Sequence, residues 1–96
     1  MNNASELLQQ ASKIVSDERA ITYGSKKANH ENIARLWGAY LRINIKPEDV
    51  ALMMILLKIA RTQLGTGSID NYVDMAGYAG IAGEIHNGKF YSHFRP

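Results

Sequence analysis

Apolar residues recur at three- and four-residue intervals along four stretches of the chain, the spacing that puts them on one face of a helix. Over residues 5–17, Leu7, Leu8, Ala11, Ile14 and Val15 form one stripe. A loop is predicted over 18–28, where Gly24 suits a turn, and Asn29 is the predicted N-cap of the second helix. That helix carries Ile33, Leu36, Trp37, Tyr40 and Leu41 on one face and ends near Leu41. Pro47, Glu48 and Asp49 make a strong start for a third helix, because proline fits the first position and acids in the first turn favour the helix dipole. It runs to about Gln63, and residues 50–57 leave it almost no polar face. Such a helix is expected to be buried on most sides, in part against a second subunit.

Gly65, Thr66 and Gly67 stop the third helix, and Ser68 is the predicted cap of a fourth over 69–85. Gly77, Gly80 and Gly83 sit inside that helix, where each glycine costs roughly 1 kcal/mol relative to alanine. Their presence implies close approach of another helix or a ligand. The expected architecture is an all-α single domain over 1–96 of about four helices. The last two form an antiparallel hairpin, and residues 1–4 and 87–96 are loosely ordered.

Ninety-six residues are enough for one core, and so small a domain is marginal alone, which again favours a homo-oligomer. There is no cysteine, so disulfides and thiolate metal sites are excluded. The first residues show no basic segment followed by an apolar one, so no signal peptide is expected. The run 50–57 is too short to span a bilayer, so no membrane partner is expected and the default location is the cytoplasm. A net charge of +2 does not argue for nucleic acid, but its distribution is uneven. Residues 19–46 hold six basic residues and one acid, whereas the rest of the chain holds five basic residues and eight acids. This basic third reads either as a solvated surface or as an anion-binding face.

In a hairpin, residues equally far from the turn face each other, which places Arg61 level with Asp70, and Lys58 level with Asp74 or Val73. Two inter-helix salt bridges are one reading of these four side chains, and a polar site for a phosphate-bearing ligand or a metal is the other. A second polar cluster, Asn29, His30, Glu31, Asn32 and Arg35, lies at the start of the second helix, with Lys26 and Lys27 before it. Ordinary capping and exposed side chains compete there with anion binding at a helix N-terminus. Tyr23, Trp37 and Tyr78 are either core aromatics or surfaces on which a base stacks. His30, His86 and His93 lack metal-ligand spacing, so no metal site is predicted, and there is no glycine-rich phosphate loop.

Three stretches carry a family resemblance. They are Tyr23-Gly24-Ser25 with Asn29 and the run Asn32-Ile33-Ala34-Arg35-Leu36-Trp37; residues 49–61, which close on Lys58-Ile59-Ala60-Arg61; and Asp70-Asn71-Tyr72-Val73-Asp74-Met75-Ala76-Gly77-Tyr78. Together, over about 21–84, the chain resembles a family of small phage and prophage proteins described only as a domain of unknown function. More distantly it is similar to MazG-type all-α nucleotide pyrophosphohydrolases, which hold magnesium with Glu-x-x-Glu and Glu-x-x-Asp. Here Glu31 is followed by Ala34 and Arg35, and Asp70 and Asp74 are four apart, so few acids converge.

The resemblance implies a phage-derived oligomer, in the cytoplasm of the host bacterium, that binds a nucleotide or another phosphate-bearing small molecule without necessarily transforming it, and so sequesters a host defence signal or manages nucleotide pools. No cofactor is expected on that reading, and the candidate ligand-binding residues are Tyr23, Lys26, Asn29, Asn32, Arg35, Lys58, Arg61, Asp70, Asp74 and Tyr78. One alternative is magnesium-dependent nucleotide hydrolysis using Asp70, Asp74 and one or both of Glu31 and Glu48. The other is an inhibitor that docks its basic segment on an acidic host protein.

Overall fold

The computed structural model describes residues 3–16, 25–65 and 67–87, and within them the chain is four α-helices with no strand. They are α1 (Ala4–Val15), α2 (Lys26–Leu41), α3 (Pro47–Gln63) and α4 (Ile69–His86). The α3–α4 contact is the most extensive; α1 packs on α4 and α2 on α3. Two cross-helix pairs nest around the connecting turn, Lys58 with Asp74 and, farther out, Glu48 with His86.

Local chemistry explains the boundaries. Asn3 caps α1 through a capping box: its side chain accepts from the Glu6 N–H at 2.9 Å, and the Glu6 carboxylate accepts from the Asn3 N–H at 3.0 Å. α1 ends at Val15, two residues short of the predicted end. α2 begins three residues before the predicted cap. The Ser25 hydroxyl accepts from the Ala28 N–H at 3.0 Å, while the Asn29 N–H already donates to the Ser25 carbonyl at 3.0 Å. Asn29 is therefore inside the first turns and Ser25 is the cap. At α3 the Asp49 carboxylate accepts from the Lys46 N–H at 2.9 Å, and at α4 the Ser68 hydroxyl accepts from the Asp70 N–H at 3.1 Å, as the sequence predicts for Ser68.

α2 stops where Arg42 turns left-handed (φ 61°) and the chain folds back over Gly38. The Gly38 carbonyl accepts from the Ile43 N–H at 3.2 Å, and a Cβ on Gly38 would stand 2.9 Å from the Ile43 carbonyl oxygen. Only glycine fits this return.

The core is built from small residues. Ala51, Ile81, Ala82 and Ile85 form its centre, with Val15 and Tyr78 packed on it. Ala11, Ala34, Val50 and Val73 are also buried. The apolar face predicted for α2 is packed only in part: Ile33 and Trp37 are half-buried, Leu36, Tyr40 and Leu41 are exposed, and His30 and Ala34 are the buried residues. Small side chains let α2 approach its neighbours closely, which leaves the large ones outside. α3 likewise buries Val50 and Ala51 but exposes Leu52, Met53, Leu56, Leu57 and Ile59, so one chain covers far less of it than the sequence suggests. Among the described residues eight apolar side chains are buried and fourteen large ones are exposed.

The glycines of α4 divide. A Cβ on Gly77 would lie 3.1 Å from Val15 Cγ1, so α1 is the element that approaches there. Gly80 and Gly83 face open space, with nothing within 4 Å of a built Cβ. Gly83→Ala is thus expected to stabilise the fold by about 0.5–1 kcal/mol through helix propensity, and Gly38→Ala to destabilise it by about 1–3 kcal/mol through overpacking. Urea unfolding of the two variants checks this; equal shifts would contradict the packing described.

Candidate functional site

Polar side chains gather where α2, α3 and α4 meet. Lys58 Nζ lies 2.8 Å from Asp74 Oδ2, with the lysine side chain 16% exposed and the aspartate 32%. Lys58 follows a run of apolar residues and sits on the α4-facing side of α3, so its ammonium is partly desolvated and Asp74 supplies the compensating charge. Tyr78 is one turn beyond Asp74 on α4 and is half-buried.

His30 of α2 meets Tyr78 edge-on, with ring centroids 6.5 Å apart and planes at 61°. His30 is 7% exposed. Its Nδ1 stands 2.8 Å from the Lys26 carbonyl, an atom that only accepts, so Nδ1 carries a proton and donates. The neutral ring then presents an acceptor at Nε2. That nitrogen is buried and has no hydrogen-bond partner among the described residues. Nearer the α2 N-terminus, Lys26 Nζ reaches Glu84 Oε1 at 3.7 Å, a loose, partly solvated pair. Asn71, three residues before Asp74, is 2% exposed and is a second buried polar residue beside His30, this one on α4.

The ten residues singled out in the sequence therefore separate. Lys26, Lys58, Asp74 and Tyr78 come together along the seam through their contacts with one another or with His30 and Glu84. Asn29, Asn32 and Arg35 are exposed, and the Arg35 guanidinium donates to the Asn32 side-chain oxygen on the outside of α2. Arg61 and Asp70 are exposed near the turn between α3 and α4. Tyr23 lies outside the described residues. The acids of the hydrolase alternative are dispersed: Asp74 pairs with Lys58, and Glu48 with His86 at 3.3 Å. Among the described residues no three carboxylates or histidines are grouped so that they could hold a metal ion.

His30 and Glu84 are the functional candidates that sequence reasoning passed over. His30 was legible only as a member of a polar cluster. The available signal was its spacing, four residues before Ala34 and four after Lys26, which puts it on the side of α2 with the small residues.

Comparison with known proteins sets this geometry in a family. The profile of the domain of unknown function DUF6378 matches residues 6–86. The Gene 55 protein of Mycobacterium phage L5 is 54% identical over 76 residues, covering 78% of this chain and 49% of that protein. The Gene 55 protein of Mycobacterium phage D29 is 43% identical over 81 residues, 83% of this chain and 53% of that protein. The chain thus spans about half the length of the curated relatives it matches. No solved structure matches it.

The Lys58–Asp74 pair is expected to behave asymmetrically because lysine is the more buried partner. Asp74→Leu strands the ammonium and is expected to cost about 2–4 kcal/mol, whereas Lys58→Met, which removes the more desolvated charge and keeps the stem packed, costs about 1 kcal/mol or less. Denaturant midpoints measure both; equal and negligible effects would show that both side chains stand in water.

Proposed function

This chain belongs to the DUF6378 family, which includes phage proteins among its relatives, and we propose that it binds a nucleotide or a related phosphate-bearing small molecule in the seam between α2, α3 and α4. The observation that carries the reading is His30 Nε2, buried and without a hydrogen-bond partner among the described residues, set beside an aromatic ring and one helical turn from a half-buried charge pair. An unsatisfied buried acceptor costs about 1–3 kcal/mol, and a group kept in that state calls for a partner such as a ligand, a water or an ion.

Charge at the start of α2 supports the phosphate half of the ligand. Lys26 and Lys27 stand in the first turn, which contains no acid. They oppose the dipole of their own helix, an arrangement that costs about 0.3–1 kcal/mol each in isolation and favours an incoming anion. Together with Lys58 they offer cationic donors to phosphate oxygens, and Tyr78 offers a ring to a base. A binder without turnover suits a phage that withdraws a host nucleotide signal from circulation.

The reading is tested by thermal unfolding with nucleoside mono-, di- and triphosphates, with and without magnesium, followed by product analysis. A ligand at roughly 100-fold its Kd adds about 2.7 kcal/mol, a rise in Tm of roughly 10 °C or more for a domain of this size. Stabilisation without product is the expected result. Product formation with magnesium would favour the hydrolase alternative, and no response to any nucleotide would leave an acidic host protein as the better partner.

The binder is a homo-oligomer on this reading, with α3 at its interface, because Leu52, Leu56 and Ile59 lie on one uncovered side of that helix. Light scattering is expected to give a mass above the 10.7 kDa of one chain, and Leu56→Glu to return it to that value with helical content intact. A wild-type monomer at micromolar concentration would overturn this.

A further inference from the structure

The state of the His30 ring narrows the ligand. Its Nδ1 proton is committed to the Lys26 carbonyl, so the neutral ring meets a ligand with a lone pair at Nε2 and only a donor satisfies it. Nε2 is also recessed: His30 is 7% exposed, and Tyr78 stands edge-on beside it. A donor that reaches a recessed acceptor has to project from its own molecule. The ring N–H of uracil or thymine does not project, because it lies between two carbonyl oxygens that would reach the seam first and bring acceptors against an acceptor. The exocyclic amino group of adenine, cytosine or guanine does project, standing one bond out from the ring with two N–H donors.

We infer that the base recognised in this seam is an amino-bearing one, adenine, cytosine or guanine, whose exocyclic N–H donates to His30 Nε2, and that uracil and thymine nucleotides are rejected. This rests on the nucleotide-binding reading above and deepens it. The discrimination follows the general rule that a site built around one buried polar group rejects the analogue that leaves it unpaired. Lys26 has two parts in this arrangement: its carbonyl sets the histidine tautomer, and its ammonium stands in the first turn of the same helix, on the phosphate side. Base and phosphate recognition are thereby joined in one turn of α2.

The test is calorimetric titration of the full chain with CMP, AMP, UMP and TMP, repeated on His30→Phe. CMP or AMP is expected to bind wild type at least about tenfold more tightly than UMP, the value of one good hydrogen bond. In His30→Phe that preference is expected to vanish while Tm equals or exceeds that of wild type, since the variant removes an unpaired acceptor from the core. Should the variant fail to fold, the ¹⁵N resonances of His30 in wild type give the same answer: Nδ1 protonated throughout, and Nε2 moving on addition of CMP and not of UMP. Equal binding of CMP and UMP would overturn the amino-group inference and leave the nucleotide reading standing. Binding of no nucleotide would overturn both. A preference for CMP that survives in His30→Phe would assign base recognition to another residue.

Discussion

The half-buried ion pair between Lys58 and Asp74 is the contact on which the rest of the seam depends. It joins the two helices with the most extensive contact in the molecule, and it does so at one register only. Sliding α4 by one residue along α3 would turn Asp74 away and leave the Lys58 ammonium among Leu57, Ile59 and the core without a counter-charge. With Asp74 fixed, Tyr78 falls one turn farther along α4, where it meets His30, and Ile81, Ala82 and Ile85 close on Ala51. Close packing of Ile81, Ala82 and Ile85 on Ala51 opposes such a slide as well, but it carries no charge whose stranding singles out one alignment. The charge pair supplies specificity where the core supplies adhesion.

That division of labour explains why so much of the chain's hydrophobic content lies outside. A core of alanine, valine and isoleucine permits close helix approach but buries little area per residue. Large side chains on α2 and α3 are then left over, and they are the natural material of a subunit interface. Lys58 sits on the α4-facing side of α3 whereas Leu52, Leu56 and Ile59 are uncovered, so the proposed site and the proposed interface draw on different residues of the same helix.

Helix number, the α3 start, the Ser68 cap and the Lys58–Asp74 pairing were legible in the sequence because each is fixed locally. Capping residues and proline mark the ends, and a short turn between two helices sets which residues face each other. Two things were not legible. The start of α2 moved from Asn29 to Ser25 because two good capping residues stand four apart, and the choice between them depends on what the added turn touches; here it carries Lys26 to Glu84 and positions His30. The packed face of α2 is offset from the predicted one: Ile33 and Trp37 are half-buried, but burial centres on His30 and Ala34, and large apolar residues weigh most in any periodicity. His30 was hidden for the same reason: a polar residue on a small-residue face is indistinguishable from a surface one until the neighbouring helix is in place. The amino acids of the exposed cluster, Asn32 and Arg35, looked more functional than His30 and instead bond to each other.

The central claim is that the seam, and not the exposed cluster on α2 or the open face of α3, receives the ligand. Amide and side-chain chemical-shift mapping of the isotope-labelled chain during a titration with CMP tests it most directly. The account predicts that the largest shifts fall on His30, Lys58, Asp74 and Tyr78, with Asn32, Arg35 and Leu56 little moved. Shifts centred on Arg35 or on the α3 leucines, with the His30 and Asp74 resonances unchanged, would contradict it.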